Sequence, residues 1–495
     1  MPLNYTSMEQ VSGWRFLRHR QAVAIARHSV RLVHDPSRNA TASLLVGAVA
    51  AVLIIGVCFV IAFFRPAGQV GQNRILADRA TGGLYVRVGD TVHPALNLAS
   101  ARLIAGTDAN PTMVPLSEIK KLPMGPLVGI PGAPDDLVVS TPADAGFGLC
   151  DHLGSARAVP TVTVLTGTPE LGTWAHPVTS PETVLASYSG QTYLVTDGHR
   201  SQIDLADKPV TLALGIQAGT AQPAPLSRAL YEALVPTGPL RVPEVPNPGG
   251  PVGYATAALP VVSGSVIKAT DATGQPDYFV ALPAGVQMIP ETVALIIGNA
   301  NLAGQKVLES DPATIAGLPQ AVGFDAAMYP KGPLRVLDKS AEPVTCVVWR
   351  KGSGESQAEV STVSGRRLPI PVGEEARVVT LVSGPERGAA NSVYIGADAP
   401  NFVQVTGAEP DSPRRESLWW LSGSGVRFGV PTQGGEESRT RDALGLTAAP
   451  VPAPWSVIRW LPAGPALSYA AAMSQHDTLV PDTPAKVLDK QEGSR

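Results

Sequence analysis

Cys150 and Cys346 are the residues of this chain best placed for covalent chemistry. The 495 residues hold three cysteines, and Cys58 lies in an apolar run, where it reads as filler. The other two open matching segments, "LCDHLGSARAVPTVTVLTG" (149–167) and "TCVVWRKGSGESQAEVSTVSG" (345–365). Each runs cysteine, polar loop, β run, then Ser or Thr before Gly. In an oxidising compartment the expectation is a disulfide between them. Over so long an interval the chain-entropy model gives it about 4–5 kcal/mol. A metal site would need a second Cys or a His pair close to each, and neither has one.

Other chemistries lack their residues. The dipeptide Gly-Lys never occurs, so there is no G-x-x-x-x-G-K-[ST] loop to cradle phosphates. "GSGVRFG" (423–429) is glycine-rich with the wrong spacing for a dinucleotide fingerprint. Neither H-E-x-x-H nor G-x-S-x-G is present. His93, His152, His176, His199 and His476 are scattered, and His93, just before Pro94, reads as structural. Asp135 and Asp136 read as a solvated loop. No catalytic, cofactor-binding or metal-ligating residue is assigned, and no cofactor is implied.

The elements around the cysteines repeat. Four segments read as hairpins: "GLYVRVGDTVHP" (83–94), "TYLVTDGHRSQID" (192–204), "YFVALPAGVQMIP" (278–290) and "LWWLSGSGVRFG" (418–429). Each is an aromatic-led run, a Gly-bearing turn and a second run. Four short helices follow: "LSEIKKLP" (116–123), "LSRALYEALVP" (226–236), "DPATIAGLP" (311–319) and "APWSVIRWLP" (453–462). Each closes on a proline, which ends a helix just before itself. The phrase "GPL", or "GPAL", comes next at 125–127, 238–240, 332–334 and 464–467, the third after an insertion, "QAVGFDAAMYPK". The reading is one supersecondary unit used four times, with "GPL" as its exit. The cysteine segments separate units one and two, and units three and four. That predicts two halves about a pseudo-two-fold axis, joined near "PNPGGPVG" (246–253).

Composition agrees with a turn-rich β protein: 44% hydrophobic, 16% charged, 49 glycines and 47 prolines. A net charge of −3 argues against nucleic acid. Residues 44–64, "LLVGAVAAVLIIGVCFVIAFF", carry no charge and are long enough for a membrane span. Arg15, Arg18, Arg20, Arg27, Arg31 and Arg38 precede it, against Glu9 and Asp35, which predicts a cytoplasmic N-terminus. Residues 8–35 read as an amphipathic helix. Arg20, Arg27, Arg31 and His34 lie near one face; Val11, Trp14, Ala22 and Ile25 lie nearer the other. It either rests on anionic lipid or docks a cytoplasmic partner through Trp14, Arg15, Phe16, Arg18 and Arg20.

The fold class is therefore α+β: a single N-terminal transmembrane helix and a large outer β-rich domain with four small repeat lobes around a central domain. The expected division begins with a cytoplasmic helix and tail over 1–43 and the span over 44–64. The first lobe takes 65–140, the second 191–250, the third 251–340 and the fourth 413–470. The central domain is built from two separate stretches, 141–190 and 341–412, and 471–495 form a tail.

Several stretches carry a family resemblance. "QVSGWRFLRHR", "ADRATGGLYVRVGDTVHPALNLASARLI" (77–104), "GPLVGIPGAP" (125–134), "GHRSQIDLAD" (198–207), "APWSVIRWLPAGPALS" (453–468) and "HDTLVPD" (476–482) resemble EccB, the B component of mycobacterial ESX (type VII) secretion systems. The resemblance implies a scaffold subunit of a hexameric inner-membrane complex. Its implied partners are EccC, EccD and EccE, other EccB copies, membrane lipid, and a mycosin protease on the periplasmic side. Family members are also labelled ATPases, a label no motif here supports. Two alternatives to a scaffold stay open: an ATPase with an unrecognised site, and a cell-wall-binding module gripping polysaccharide through Tyr85, Tyr193, Trp419 and Trp420.

Overall fold

A computed structural model of the protein describes residues 7–28, 36–64, 70–154, 159–432 and 435–479. The first helix, Met8–Arg27, opens with a reciprocal cap: Gln10 N–H donates to Ser7 Oγ, and Ser7 N–H to the Gln10 side chain. His28 ends it in the left-handed conformation, φ 55°. One helix over 8–35 is thus corrected to 8–27, and Arg31 and His34 lie outside the described residues. The second helix, Pro36–Phe64, contains the apolar stretch Ala42–Ile61, none of it buried in the protein. Twenty helical residues span about 30 Å, the thickness of a hydrocarbon core. Of the expected tail 471–495, residues 471–479 are ordered against the body, with Gln475–His476 paired to Leu127–Val128, and 480–495 lie outside the described residues.

Beyond the span, four small sheets share one order of four strands, to which the second sheet adds the short strands Val235–Pro236 and Arg335–Val336. In each, three successive strands run antiparallel, and a fourth lies parallel beside the first. The first strands are Ile75–Asp78, Glu182–Tyr188, Val266–Thr270 and Phe402–Thr406. The fourth strands are Thr112–Val114, Ala224–Pro225, Leu308–Ser310 and Val451–Pro454. A helix links third strand to fourth each time: Leu98–Ala105, Lys208–Ala213, Glu291–Ala300 and Gly435–Leu444. The four short helices then follow at Leu116–Ile119, Arg228–Ala233, Pro312–Ala316 and Trp455–Ile458. The hairpins and short helices are those expected. The leading strands carry no periodic signal: "ILAD" is buried at every position and shows no alternation.

The proline exit has a geometric cause. After the short helix the chain runs parallel to the third strand and bonds to it on both sides of one residue. Val92 N–H donates to Pro123 O (2.8 Å), and Gly125 N–H donates to Val92 O (2.9 Å). Arg427 is held likewise by Pro462 O and Gly464 N–H, both at 2.9 Å. Val286 is held by Pro319 O (2.7 Å) and Ala321 N–H (3.0 Å). Proline suits a position that accepts and need not donate. The glycine answers to the next side chain of the third strand. A Cβ on Gly125 would sit 2.2 Å from the His93 ring, and one on Gly464 2.3 Å from the Phe428 ring.

The third "GPL" is a correction. Gly332 has open space where its Cβ would be. Leu334 N–H donates to Leu214 O (2.9 Å), and Arg335–Val336 pairs with Glu182 and Thr183. That phrase extends the second small sheet; the exit of the third unit is Pro319–Ala321.

A seven-stranded sheet lies at the centre, in the order Val379–Thr380, Ser392–Ile395, Thr161–Thr166, Ala145–His152, Val344–Lys351, Glu359–Gly365, Ala175–Pro177. Three shared cores fix the small sheets around it. The helices Leu98–Ala105 and Gly435–Leu444 join the first and fourth sheets in one core. Lys208–Ala213 and Glu291–Ala300 join the second and third. Arg228–Ala233 and Trp455–Ile458 pack together against strand Ala145–His152, over Phe147, Leu149 and Trp349.

Candidate functional site

The middle of the central sheet is the junction of the outer body. Cys150 and Cys346 stand directly opposite on antiparallel strands, Cα atoms 4.0 Å apart, and form a disulfide across 196 residues of sequence. Both are fully buried. They face away from the lobe helices, into a core with Leu165, Val348, Ile370 and Tyr394.

Strand alternation turns the next residue the other way. Asp151 points at the helix Arg228–Ala233, whose N-cap is Ser227. Its carboxylate accepts from Ser227 N–H (2.7 Å) and from Ser227 Oγ (2.6 Å), while Ser227 Oγ accepts from Leu230 N–H (3.0 Å). Only 2% of Asp151 is exposed. Burial raises its pKa to about 7, with the two Ser227 bonds acting in the opposite direction. The junction is closed by Glu232 of the same helix, which pairs with Arg459 of the fourth unit at 3.1 Å and with Arg228 at 2.6 Å.

The second and fourth units carry the same clamp. The Arg427 guanidinium lies over Trp419 (4.5 Å) and Trp455 (4.9 Å), and its Nε donates to Leu461 O. The Arg200 guanidinium lies over Tyr231 (4.0 Å) and donates to Leu234 O. Tyr193 meets the Tyr231 ring edge-on at 5.3 Å. In both, an arginine of the third strand reaches the last carbonyl before the exit and is covered by a ring from the short helix. Of the proposed polysaccharide-gripping aromatics, Trp420 is fully buried in a core, Tyr85 is half-buried against another, and Trp419 belongs to the clamp.

The remaining candidates are structural or apart. His93 Nδ1 lies 3.0 Å from Pro126 O, and His476 Nε2 lies 2.9 Å from Gly129 O. Asp135 is exposed in a loop, as read, and also accepts from Leu98 N–H at 2.8 Å, at the start of a helix. Trp14, Arg15, Phe16, Arg18 and Arg20 are exposed on the first helix. Arg18 covers the Trp14 ring at 4.8 Å, whereas Phe16, two residues on, faces elsewhere. Sequence reasoning missed Asp151, Ser227, Glu232 and Arg459. Ser227, the second residue of "LSRALYE", was a legible cap; the carboxylate above it was not.

The chain matches a family model described as "Type VII secretion system ESX-1, transport TM domain B" over residues 3–481. It is 42% identical to "ESX-5 secretion system ATPase EccB5" of Mycobacterium tuberculosis (strain ATCC 25618 / H37Rv), over 98% of this chain and 97% of that protein. It is 40% identical to "ESX-3 secretion system ATPase EccB3" of Mycolicibacterium smegmatis, over 96% and 92%. Among solved structures it is similar to a chain of an intact ESX-5 inner membrane complex, with TM-score 0.77, 40% identity and 99% of both chains covered. It is also similar to a chain of an EccB3 dimer from the ESX-3 core complex, with TM-score 0.71, 38% identity, and 81% and 100% covered. The chain is a member of the EccB family of type VII secretion systems.

Proposed function

We propose that this chain is a structural subunit of a type VII secretion inner-membrane complex. Its single helix anchors a periplasmic body, and its arginine-rich N-terminus stays cytoplasmic. The observation that carries the reading is the likeness to a chain of an intact inner membrane complex, which extends over 99% of both chains and so includes anchor and body. EccC, EccD, EccE and further EccB copies are the assembly partners. Membrane lipid surrounds the span, and a mycosin protease docks on the periplasmic side. The cytoplasmic docking surface lies on the first helix, among Trp14, Arg15, Phe16, Arg18 and Arg20, with Trp14 and Arg18 together on one face. The four lobes are repeats about a pseudo-two-fold axis, supported by the shared strand order and by the Arg200 and Arg427 clamps.

A scaffold needs rigidity between its lobes, and the junction supplies it. Disulfide, buried carboxylate cap and interlobe ion pair all converge on the two middle strands of the central sheet. The test is the native mass of the tagged full chain extracted in mild detergent. A species far larger than a dimer, carrying other membrane subunits, is the expected result. A lone monomer or dimer overturns the scaffold reading.

A further inference from the structure

Three guanidinium groups meet at the seam between the first and fourth units. Arg74 precedes the first strand, Arg87 lies on the second, and Arg439 comes across from the helix Gly435–Leu444. With Gln72 and Tyr469 they line a concavity of 380 Å³. The seam itself is rigid, because the helices Leu98–Ala105, Gly435–Leu444 and Tyr469–Ala472 pack together beneath it.

The charges there are poorly neutralised. Arg74 donates to the Ala105 carbonyl at 2.9 Å, a neutral acceptor. Arg439 lies over the Tyr469 ring at 3.7 Å, which orients its plane. Among the described residues neither has a carboxylate partner. Arg87 is held by the carbonyls of Gly89 and Gly71, and its one ion pair among the described residues, with Asp90, is loose at 3.8 Å to a fully exposed side chain. No carboxylate lines the concavity. Like charges side by side repel, so an occupant bearing negative charge is favoured over water. A planar guanidinium offers paired donors matched to phosphate oxygens, and all three are already oriented by protein contacts.

We propose that this seam binds a phosphate-bearing anion, held by Arg74, Arg87 and Arg439. The phosphate is either free or carried on a lipid headgroup. The apolar stretch ends at Ile61, and at about 3.3–3.6 Å per extended residue the linker to Gln72 keeps the site within roughly 40 Å of the membrane boundary.

The test uses the full chain and the double variant Arg74→Gln, Arg439→Gln. Both side chains are exposed, so the variant should melt like the parent without ligand. In one arm inorganic phosphate is titrated into detergent-solubilised protein by calorimetry. In the other, native mass spectrometry counts adducts after reconstitution with phosphatidylglycerol or phosphatidylcholine. Saturable phosphate binding that the double variant weakens at least tenfold supports the site. If phosphatidylglycerol adducts also disappear in the variant while phosphatidylcholine adducts persist, the ligand is a headgroup; if adducts do not change, it is free phosphate. Parent and variant behaving alike in both arms overturns the proposal.

Discussion

Asp151 and Ser227 tie the central sheet to the second lobe through two hydrogen bonds of 2.7 and 2.6 Å, although one residue is on a strand and the other caps a helix 76 residues later. The carboxylate is buried and its pKa is pushed up to about 7. A raised carboxylate pKa means the folded protein keeps a proton that the unfolded chain has released. Its contribution is full below the ordinary carboxylate range and is lost as pH rises through about 7. Asp151→Asn removes this titration and keeps an oxygen for Ser227 N–H. The variant should gain on the parent as pH rises from 5 to 8, at a slope of up to roughly 1.4 kcal/mol per pH unit. Asp151→Ala leaves the Ser227 donors unpaired and should cost about 1–3 kcal/mol. Urea unfolding across that pH range checks both, and parallel profiles for parent and Asn variant would refute the titration.

The disulfide closes a separation of 196 residues, for which the chain-entropy model gives about 5 kcal/mol as an upper value. Replacing both Cys150 and Cys346 with Ser should lower the unfolding midpoint of the outer body. Adding reductant during unfolding should bring the parent down to the variant. If parent and variant unfold together without reductant, the bond contributes nothing.

The exit phrases offer a sharper contrast, because the same Gly-Pro pair has different surroundings in each. Gly464→Ala drives a Cβ into the Phe428 ring, and Gly125→Ala drives one into the His93 ring. Each should cost about 1–3 kcal/mol through overpacking. Gly332→Ala meets open space and should stay within about 0.5 kcal/mol of the parent. Thermal unfolding of the three variants decides it; equal losses at all three would remove the steric account.

These glycines also mark how far the sequence could be read. Proline-closed helices and glycine turns are local signals, and all four hairpins and all four short helices were legible from them. The matched cysteines were legible because their segments repeat. The leading strand of each small sheet was not, since Phe402–Thr406 gains its identity from Trp420 and Val451 on either side, which are distant in sequence. Nor was the pairing of first with fourth and second with third units, which is decided by helices buried against one another. The third "GPL" misled for the same reason: its role is set by the edge strand it joins, Glu182–Tyr188.

The first helix presents two opposed faces to any partner. Trp14 is 57% exposed beneath Arg18, and Phe16 is 58% exposed on another side. Residues two apart do not share a helix face, so one flat partner surface can bury only one of them. Trp14 with Arg18 is the better anchor, since stacking holds both in a single arrangement before contact. Trp14→Ala should therefore weaken co-purification with the other membrane subunits, on the order of tenfold or more for a buried anchor. Phe16→Ala should do less if the partner is a protein. Neither should shift the melting of the outer body, which the helix does not help to fold. If instead the helix lies on lipid, the bilayer likewise buries one face, so the substitution on that face should loosen vesicle binding while subunit recovery does not change.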